Sequence, residues 1–332
     1  MRGRSGQVAT GVRHATAAAV LALGAVLVPT ATAHAEAVGP YAVHPAAARA
    51  ADRAADRAAE QEVVETAVAT ARDAGIKQSI SVVDRATGDH IAASGGAEQY
   101  ISESIVKLFT VAYYEHRAGG NLDDAMSSRL RSMIINSDDA IESSLWNTDI
   151  VPDAAATYGL PNTVNGPKTG PHDWGWELIT ADDETHFLFA MSKDPEVAPL
   201  LMPAMAAVAP NGSDGFDQSF GLNALSGDHG SKQGWTDVGS TPAVQIHSVG
   251  WTDRYFVAIL QTSTTAGYDA MRAAATATAH AVQDGGTPPV IVQAPPPDPA
   301  VAPATAAALT TALTGCRRDI LTAIGGALRV AG

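Results

Sequence analysis

The sequence predicts an α+β domain in which an antiparallel sheet is built from both ends of the domain and a helical region is inserted between them. Strand-like segments occur near residues 79–94 and again near residues 242–263. Helical spacing of apolar residues dominates the chain between these segments, and a further helical pattern flanks each of them. We therefore expect three layers, with helices on both faces of the sheet.

The first 35 residues are predicted to be a signal peptide. Arg2, Arg4 and Arg13 precede an apolar run at residues 17–28, and Ala-His-Ala at 33–35 has the small-x-small pattern that signal peptidase cuts. The alternative is an uncleaved anchor, but the run is too short to cross a bilayer comfortably. We expect a secreted or extracytoplasmic protein with no integral membrane span after cleavage.

Charge and composition exclude several classes of partner. Cleavage would remove three arginines and no acidic residue, which takes the formal charge from −14 to −17. So acidic a surface argues against nucleic acid or an anionic membrane as partner. Cys316 is the only cysteine, so stability must come from a hydrophobic core without an intramolecular disulfide. We expect a monomer.

The flanking segments differ in composition from the predicted domain at residues 60–286. Residues 36–59 contain the near-repeat AARAADRAADRAA, which has no bulky apolar side chains and is predicted to be a linker. Residues 287–332 begin with a proline-rich spacer. An apolar stripe beyond the spacer predicts an amphipathic helix for a membrane surface or a partner, or else an Ala-rich tail that covers the body. The stripe consists of Leu309, Leu313, Ile320, Ile324 and Leu328.

The elements of the domain follow from local patterns. Apolar residues at helical spacing predict a first helix over 60–74, which Gly75 ends. A hairpin with its turn at 86–89 follows. The remaining predicted elements are helices within 104–158 and 182–205, a long Gly- and Pro-rich loop between them, strands at 242–251 and 254–263, and a last helix at 266–283.

Ser104 and Lys107 form a candidate nucleophile and base at the start of the helical region. Residues three apart on a helix share one face, so the serine hydroxyl can meet the lysine amine. A serine at a helix N-terminus also lies near the positive end of the helix dipole. The pattern alone is common on protein surfaces, and the lysine must lose its proton to act as a base.

Two later motifs strengthen this interpretation. Ser137-Asp138-Asp139 lies where one helix gives way to another, and Lys232-Gln233-Gly234 lies at the start of the late hairpin. Taken together, the three motifs resemble those of the penicillin-recognising serine hydrolases, specifically the class A β-lactamases, in which Ser-x-x-Lys, Ser-Asp-Asn and Lys-Thr-Gly occur in this order. The resemblance spans about residues 60–285.

The resemblance implies a role for each matching residue. Ser104 would be the acylated nucleophile, Lys107 its base or proton relay, and Ser137 the donor of a proton to the leaving nitrogen. Lys232 would attract the substrate carboxylate, and Gly234 would let the substrate lie against the strand edge. The backbone N–H groups of Ser104 and Trp235 would hold the oxyanion.

Three side chains around the motifs depart from that pattern. Asp139 replaces an asparagine, and a carboxylate beside Lys107 would favour the protonated amine. Gln233 replaces a hydroxyl residue and adds bulk where the substrate carboxylate would bind, and Trp235 narrows the cleft further. We nevertheless expect Asp139, Lys232, Gln233, Gly234 and Trp235 to bind substrate.

The long loop departs from the pattern as well. The segment DWGWELIT places Gly175 where the family has its deacylating glutamate and Ile179 where that glutamate has an asparagine partner. Glu177 keeps a second family glutamate of structural role, and it is the candidate to assist deacylation if the loop turns it inward. Only 33 positions separate Ser104 from Ser137, which implies an open cleft suited to a larger substrate.

Other hydrolase classes fit less well. No two histidines have paired metal-ligand spacing, and no Gly-x-Ser-x-Gly turn is present, so we expect neither a metal nor another cofactor. The expected function is acyl-serine hydrolysis of β-lactams or of D-Ala-D-Ala-type peptidoglycan stem peptides. The alternatives are a catalytically impaired cell-envelope binding protein on the same fold, or a structural protein tethered through its tail.

Overall fold

The computed structural model describes residues 45–236 and 242–286, and its central feature is a five-stranded antiparallel sheet. The strands are β1 Lys77–Asp84, β2 His90–Ser94, β5 Gly230–Trp235, β6 Val244–Trp251 and β7 Tyr255–Ser263. Their order across the sheet is β2-β1-β7-β6-β5. Strands from the two ends of the domain thus pair side by side, as the sequence predicts.

Helices cover both faces of this sheet. The side chains of its strands alternate between two separate hydrophobic cores, one on each face. On β7, Phe256, Ala258 and Leu260 point into a core shared with the inserted helices. Val257 and Ile259 point into a second core shared with the first and last helices, α1 Pro45–Asp73 and α8 Tyr268–Asp284. The predicted α+β class is confirmed.

The inserted region consists of α2 to α7 and lies between the two groups of strands. Two helices begin at an aspartate whose carboxylate accepts hydrogen bonds from the first turn: Asp123 caps one and Asp138 the next. The helices are α2 Lys107–Ala118, α3 Asp124–Asn136, α4 Asp139–Leu145, α5 Ile150–Tyr158, α6 Ala181–Ser192 and α7 Ala198–Ala206.

A small second sheet was not predicted from the sequence. It pairs β3 Gln99–Ile101 with β4 Leu178–Thr180. Both strands have only three residues, which is too short for an alternating pattern to appear. This pairing holds the end of the long loop, at β4, next to β3, the strand that leads to Ser104.

Residues 230–235 also differ from the prediction. The sequence places Lys232 at the start of a hairpin, whereas the structure gives these residues a strand of their own, β5, at the edge of the sheet. The strand pairs with β6, and all six of its residues are buried. The sequence GSKQGW shows no alternation of apolar and polar residues, because both faces of this edge strand are covered.

Helix α1 begins before the predicted domain boundary. It starts at Pro45 and runs without interruption to Asp73, so residues 45–59 of the predicted linker are helical. Residues 53–59 are exposed and burial begins at Glu60. The rest of the predicted linker, the predicted signal peptide at 1–35 and the predicted tail at 287–332 lie outside the described residues.

None of the helices described combines the length and the apolar character that a membrane span requires.

The elements after Ala47 belong to one compact unit.

Candidate active site

The turn that carries Ser104 is held between two parts of the chain. Ser102 N–H donates to the carbonyl of Glu177 at 2.7 Å, and Glu103 N–H donates to the carbonyl of Gly175 at 2.9 Å. Glu103 has φ +48°, an uncommon value for a residue other than glycine, and a 3-10 turn at Glu103–Val106 then leads into α2. Ser104 therefore lies at the entrance to α2 with 6% of its surface exposed.

Gly234 allows the edge strand to approach this turn. A Cβ atom at Gly234 would lie 3.2 Å from Glu103 Cβ, 3.2 Å from the Ser102 carbonyl oxygen and 3.3 Å from an Ile105 side-chain carbon. Contacts of that length are tighter than ordinary packing, so a side chain here would push the strand away from Ser104.

Two of the three sequence motifs meet at Lys107 Nζ. This atom lies within hydrogen-bonding distance of four acceptors: Ser104 Oγ at 2.8 Å, Ser137 Oγ at 3.2 Å, the Ser137 carbonyl at 3.0 Å and Asp139 Oδ1 at 2.6 Å. Ser137 takes a left-handed conformation with φ +50° between α3 and α4, which turns it toward the lysine. The predicted nucleophile and the predicted base are thus within hydrogen-bonding distance.

Lys232 lies on the other side of Ser137. Its Nζ donates to Ser137 Oγ at 2.8 Å and to the carbonyl of Gln233 at 2.7 Å, and none of its side chain is exposed. Burial lowers the pKa of Lys232 well below its usual range, and the positive charge of Lys107 lowers it further. Ser137 therefore bridges two buried amines.

A second carboxyl group lies one helical turn behind the Lys107–Asp139 ion pair. Thr110 follows Lys107 by three residues on α2, and Glu142 follows Asp139 by three on α4. Thr110 Oγ1 donates to Glu142 Oε1 at 2.8 Å, while Oε2 has no partner among the described residues. Burial raises the pKa of Glu142 to about 7, against the attraction of Lys107. The sequence analysis missed this group.

Glu177 holds the long loop together instead of entering the cleft. Its Oε2 accepts from Ser102 Oγ at 3.0 Å and from Gly175 N–H at 2.8 Å, and its Oε1 accepts from Thr169 Oγ1 at 3.1 Å. The side chain is fully buried, and burial raises its pKa. The structure therefore places the predicted deacylation assistant in the structural position of the loop.

Gly175 has φ +85°, a conformation that favours glycine. The residue before it, Trp174, covers the lysine: its ring centroid is 4.6 Å from Lys107 Nζ, and its indole N–H donates to Ser143 Oγ at 2.9 Å. An aromatic ring thus covers Lys107 beside the position that the family's glutamate would occupy. Trp174 was not among the site residues predicted from the sequence.

Gln233 differs from the expectation that it adds bulk beside the substrate. Its side chain is fully buried and donates to Ser231 Oγ at 2.8 Å, and Oε1 has no partner among the described residues. The amide is therefore directed along the strand, away from the cleft, because alternate side chains of a strand point to opposite faces.

Trp235 lines the cleft, as predicted, with its ring fixed by its neighbours. It stacks on Phe216 with a centroid distance of 4.6 Å and an interplanar angle of 9°, and its indole N–H donates to Asp214 Oδ2 at 3.0 Å. Only 8% of Trp235 is exposed. The role of its backbone N–H as an oxyanion donor stays a prediction.

A cleft with a volume of about 220 Å³ opens beside Ser104. Its walls are Glu103, Asp139, Trp235 and residues 172–176 of the long loop. Of the predicted site residues, Ser104, Asp139 and Trp235 line it, while Lys107, Ser137 and Lys232 form the polar cluster behind Ser104. In residues 45–236 and 242–286, no three His, Cys, Asp or Glu side chains are arranged to hold a metal ion.

Comparison with known proteins adds evidence at the level of the fold. No protein-family model matches the sequence, and no curated protein is similar to it in sequence. Solved structures do match. The class A β-lactamase from Bacteroides cellulosilyticus DSM 14838 aligns with a TM-score of 0.55 and 13% identity, over 68% of this chain and 98% of that one.

Two further structures give the same result. A β-lactamase from Xanthomonas campestris pv. campestris aligns with a TM-score of 0.54 and 15% identity, over 68% of this chain and 98% of that one. The TLA-3 extended-spectrum β-lactamase aligns with a TM-score of 0.55, 13% identity and the same coverage. Nearly the whole length of each enzyme is therefore matched by this chain, which shares the fold of these β-lactamases.

Proposed function

We propose that this protein is an extracytoplasmic serine hydrolase that acts on β-lactams or D-Ala-D-Ala-type cell-wall peptides through an acyl-serine intermediate. The observation that carries the proposal is the contact of 2.8 Å between Lys107 Nζ and Ser104 Oγ, continued through Ser137 to Lys232. Such an arrangement supplies a nucleophile, its base and a path for the proton. Residues 60–286 are proposed as the catalytic domain.

In the acylation step, Ser104 Oγ forms a bond to the substrate carbonyl and the carbonyl–nitrogen bond breaks. Lys107 in its neutral form takes the proton of Ser104, and the same proton passes from Lys107 through the Ser137 hydroxyl to the leaving nitrogen, so that Lys107 and Ser137 end the step unchanged. The backbone N–H groups of Ser104 and Trp235 are proposed to stabilise the oxyanion.

Deacylation is expected to be slow. Glycine stands at position 175, and the Glu177 carboxylate accepts hydrogen bonds from Thr169 and Gly175 of the loop and from Ser102. A water molecule beside the acyl-serine would therefore find no glutamate base at position 175, and Glu177 is not free to replace it. This observation favours a second candidate function, a binding protein that becomes acylated, or holds its ligand, with little turnover.

Intact-protein mass spectrometry tests both candidates. The full mature chain is incubated with benzylpenicillin for minutes and for hours, beside Ser104→Ala. A Ser104-dependent adduct that persists is the expected result, and an adduct that clears while the lactam is consumed would establish efficient turnover through another base. Absence of an adduct at every time would refute the acyl-serine proposal for β-lactams.

A further inference from the structure

The lining of the cleft beside Ser104 combines carboxylates with aromatic rings. Glu103, Asp139 and Asp173 contribute acidic side chains, and Trp174, Trp176 and Trp235 contribute indoles. No lysine or arginine of the described residues is among the lining residues, because Lys107 and Lys232 are fully buried behind Ser104. Three carboxylates against one imidazole, that of His172, make the lining predominantly acidic.

Asp139 has one oxygen committed to Lys107 and a large part of its side chain in solvent. The ion pair uses Oδ1 at 2.6 Å, yet 48% of the side chain remains exposed, and it lines the cleft together with Ser104. An asparagine amide could accept or donate a hydrogen bond at this position, whereas a carboxylate only accepts. A substrate group beside Asp139 must be a hydrogen-bond donor, and a cationic donor is favoured.

The indoles favour the same kind of group. An ammonium ion is attracted to the face of an aromatic ring within about 6 Å, and tryptophan is the strongest partner. Trp174 already holds Lys107 in this way at 4.6 Å, and Trp176 holds Lys168 at 4.0 Å. The part of a substrate that contacts these carboxylates and indoles is therefore expected to carry an amine in preference to a carboxylate.

We infer that Asp139 makes this site selective for acyl donors that carry a cationic amine on the acyl side of the scissile bond. The inference rests on the proposed acyl-serine function, which places the leaving nitrogen at Ser137 and so leaves the acyl group to extend along Asp139, Trp174 and Asp173. A peptide with a free amine near its scissile carbonyl, or a β-lactam with an amine in its acyl side chain, meets this requirement.

Three penicillins that differ in one substituent test the inference. Benzylpenicillin, ampicillin and carbenicillin carry hydrogen, an amine and a carboxylate on the same carbon of the acyl side chain. Second-order acylation rates are measured by mass spectrometry of the full mature chain at about pH 6.5, where the amine is mostly protonated. We expect ampicillin to react about fivefold faster than benzylpenicillin, the upper end for a partly exposed ion pair, and carbenicillin to react most slowly.

For each variant, the acylation rates of two penicillins are measured on the same protein and their ratio is taken. A change that alters both rates equally therefore does not affect the ratio. Asp139→Asn is expected to bring the ratio of the ampicillin rate to the benzylpenicillin rate below about twofold, since no charge remains to attract the amine. Asp173→Asn, at an exposed position of the rim, is expected to lower the ratio less than Asp139→Asn does. This variant tests the inference if Asp139→Asn does not fold. Glu62→Gln on α1, which removes the same charge outside the cleft lining, is expected to leave the ratio unchanged.

The possible results separate this inference from the proposed function. Equal rates for the three penicillins, or fastest reaction with carbenicillin, would overturn the inference and leave the acyl-serine function in place. A preference for ampicillin that survives in both Asp139→Asn and Asp173→Asn would also overturn it. Absence of a Ser104-dependent adduct with all three would overturn the proposed function and the inference with it.

Discussion

The buried carboxyl of Glu142 predicts a specific dependence of stability on pH. Its pKa is about 7 in the folded protein against an ordinary value of 4.5, because the group is fully buried with one oxygen unpaired among the described residues. A raised folded-state pKa means that the contribution to stability is complete below about pH 4.5 and is lost as the pH rises through about 7. Above that pH the folded protein must hold a buried anion.

The size of the effect follows from the two pKa values. Between about pH 5 and pH 8, ionisation of Glu142 lowers the free energy of unfolding by about 2.5 kcal/mol, because the unfolded chain releases the proton at lower pH than the folded one does. Glu142→Gln keeps the shape and the hydrogen bond from Thr110 but does not titrate. The variant is expected to gain about 2.5 kcal/mol relative to the wild type over this range.

Urea unfolding of the full mature chain at the two pH values measures this difference. With an m-value of about 3 kcal/mol/M, the difference between the urea midpoints of Glu142→Gln and the wild type should be about 0.8 M larger at pH 8 than at pH 5. Other titrating groups contribute equally to both proteins and cancel. Glu62→Gln, at an exposed position of α1, serves as the matched control and should show no such gain. A gain below about 0.5 kcal/mol for Glu142→Gln would refute the reasoning.

Two further predictions concern the chemistry of the cleft. Asp139→Asn should raise the rate of acylation by benzylpenicillin about tenfold, because loss of the ion pair at 2.6 Å frees Lys107 Nζ to act on Ser104. An unchanged adduct rate in mass spectrometry would show that this ion pair does not restrain the lysine. Gly175→Glu should destabilise the protein by about 1–2 kcal/mol in urea without shortening the adduct lifetime, because φ is +85° at this position and strains any side chain. A stable variant that clears its adduct within minutes would contradict the second prediction.

The sequence by itself determined the architecture and the identity of the reactive groups. Hydrophobic periodicity was sufficient for four of the five strands of the central sheet and for the inserted helices, because these elements carry their burial pattern in local spacing, whereas β5 has no such pattern. Ser104 with Lys107 was also visible locally, since three residues on a helical turn fix their separation. The order of the three motifs then linked Ser137 and Lys232 to the same site.

Only the tertiary structure decided how the substituted residues act. Gln233 was expected beside the substrate, and two roles were open for Glu177, one structural and one in deacylation. The structure was needed to decide both, because side-chain direction depends on which face of a strand or loop is covered. Trp174 and Glu142 carried no recognisable motif, because their roles depend on contacts with Lys107 and Thr110 from other elements. Sequence spacing fixes neighbours along one element, whereas the burial and charge of a site come from elements that meet only in the folded chain.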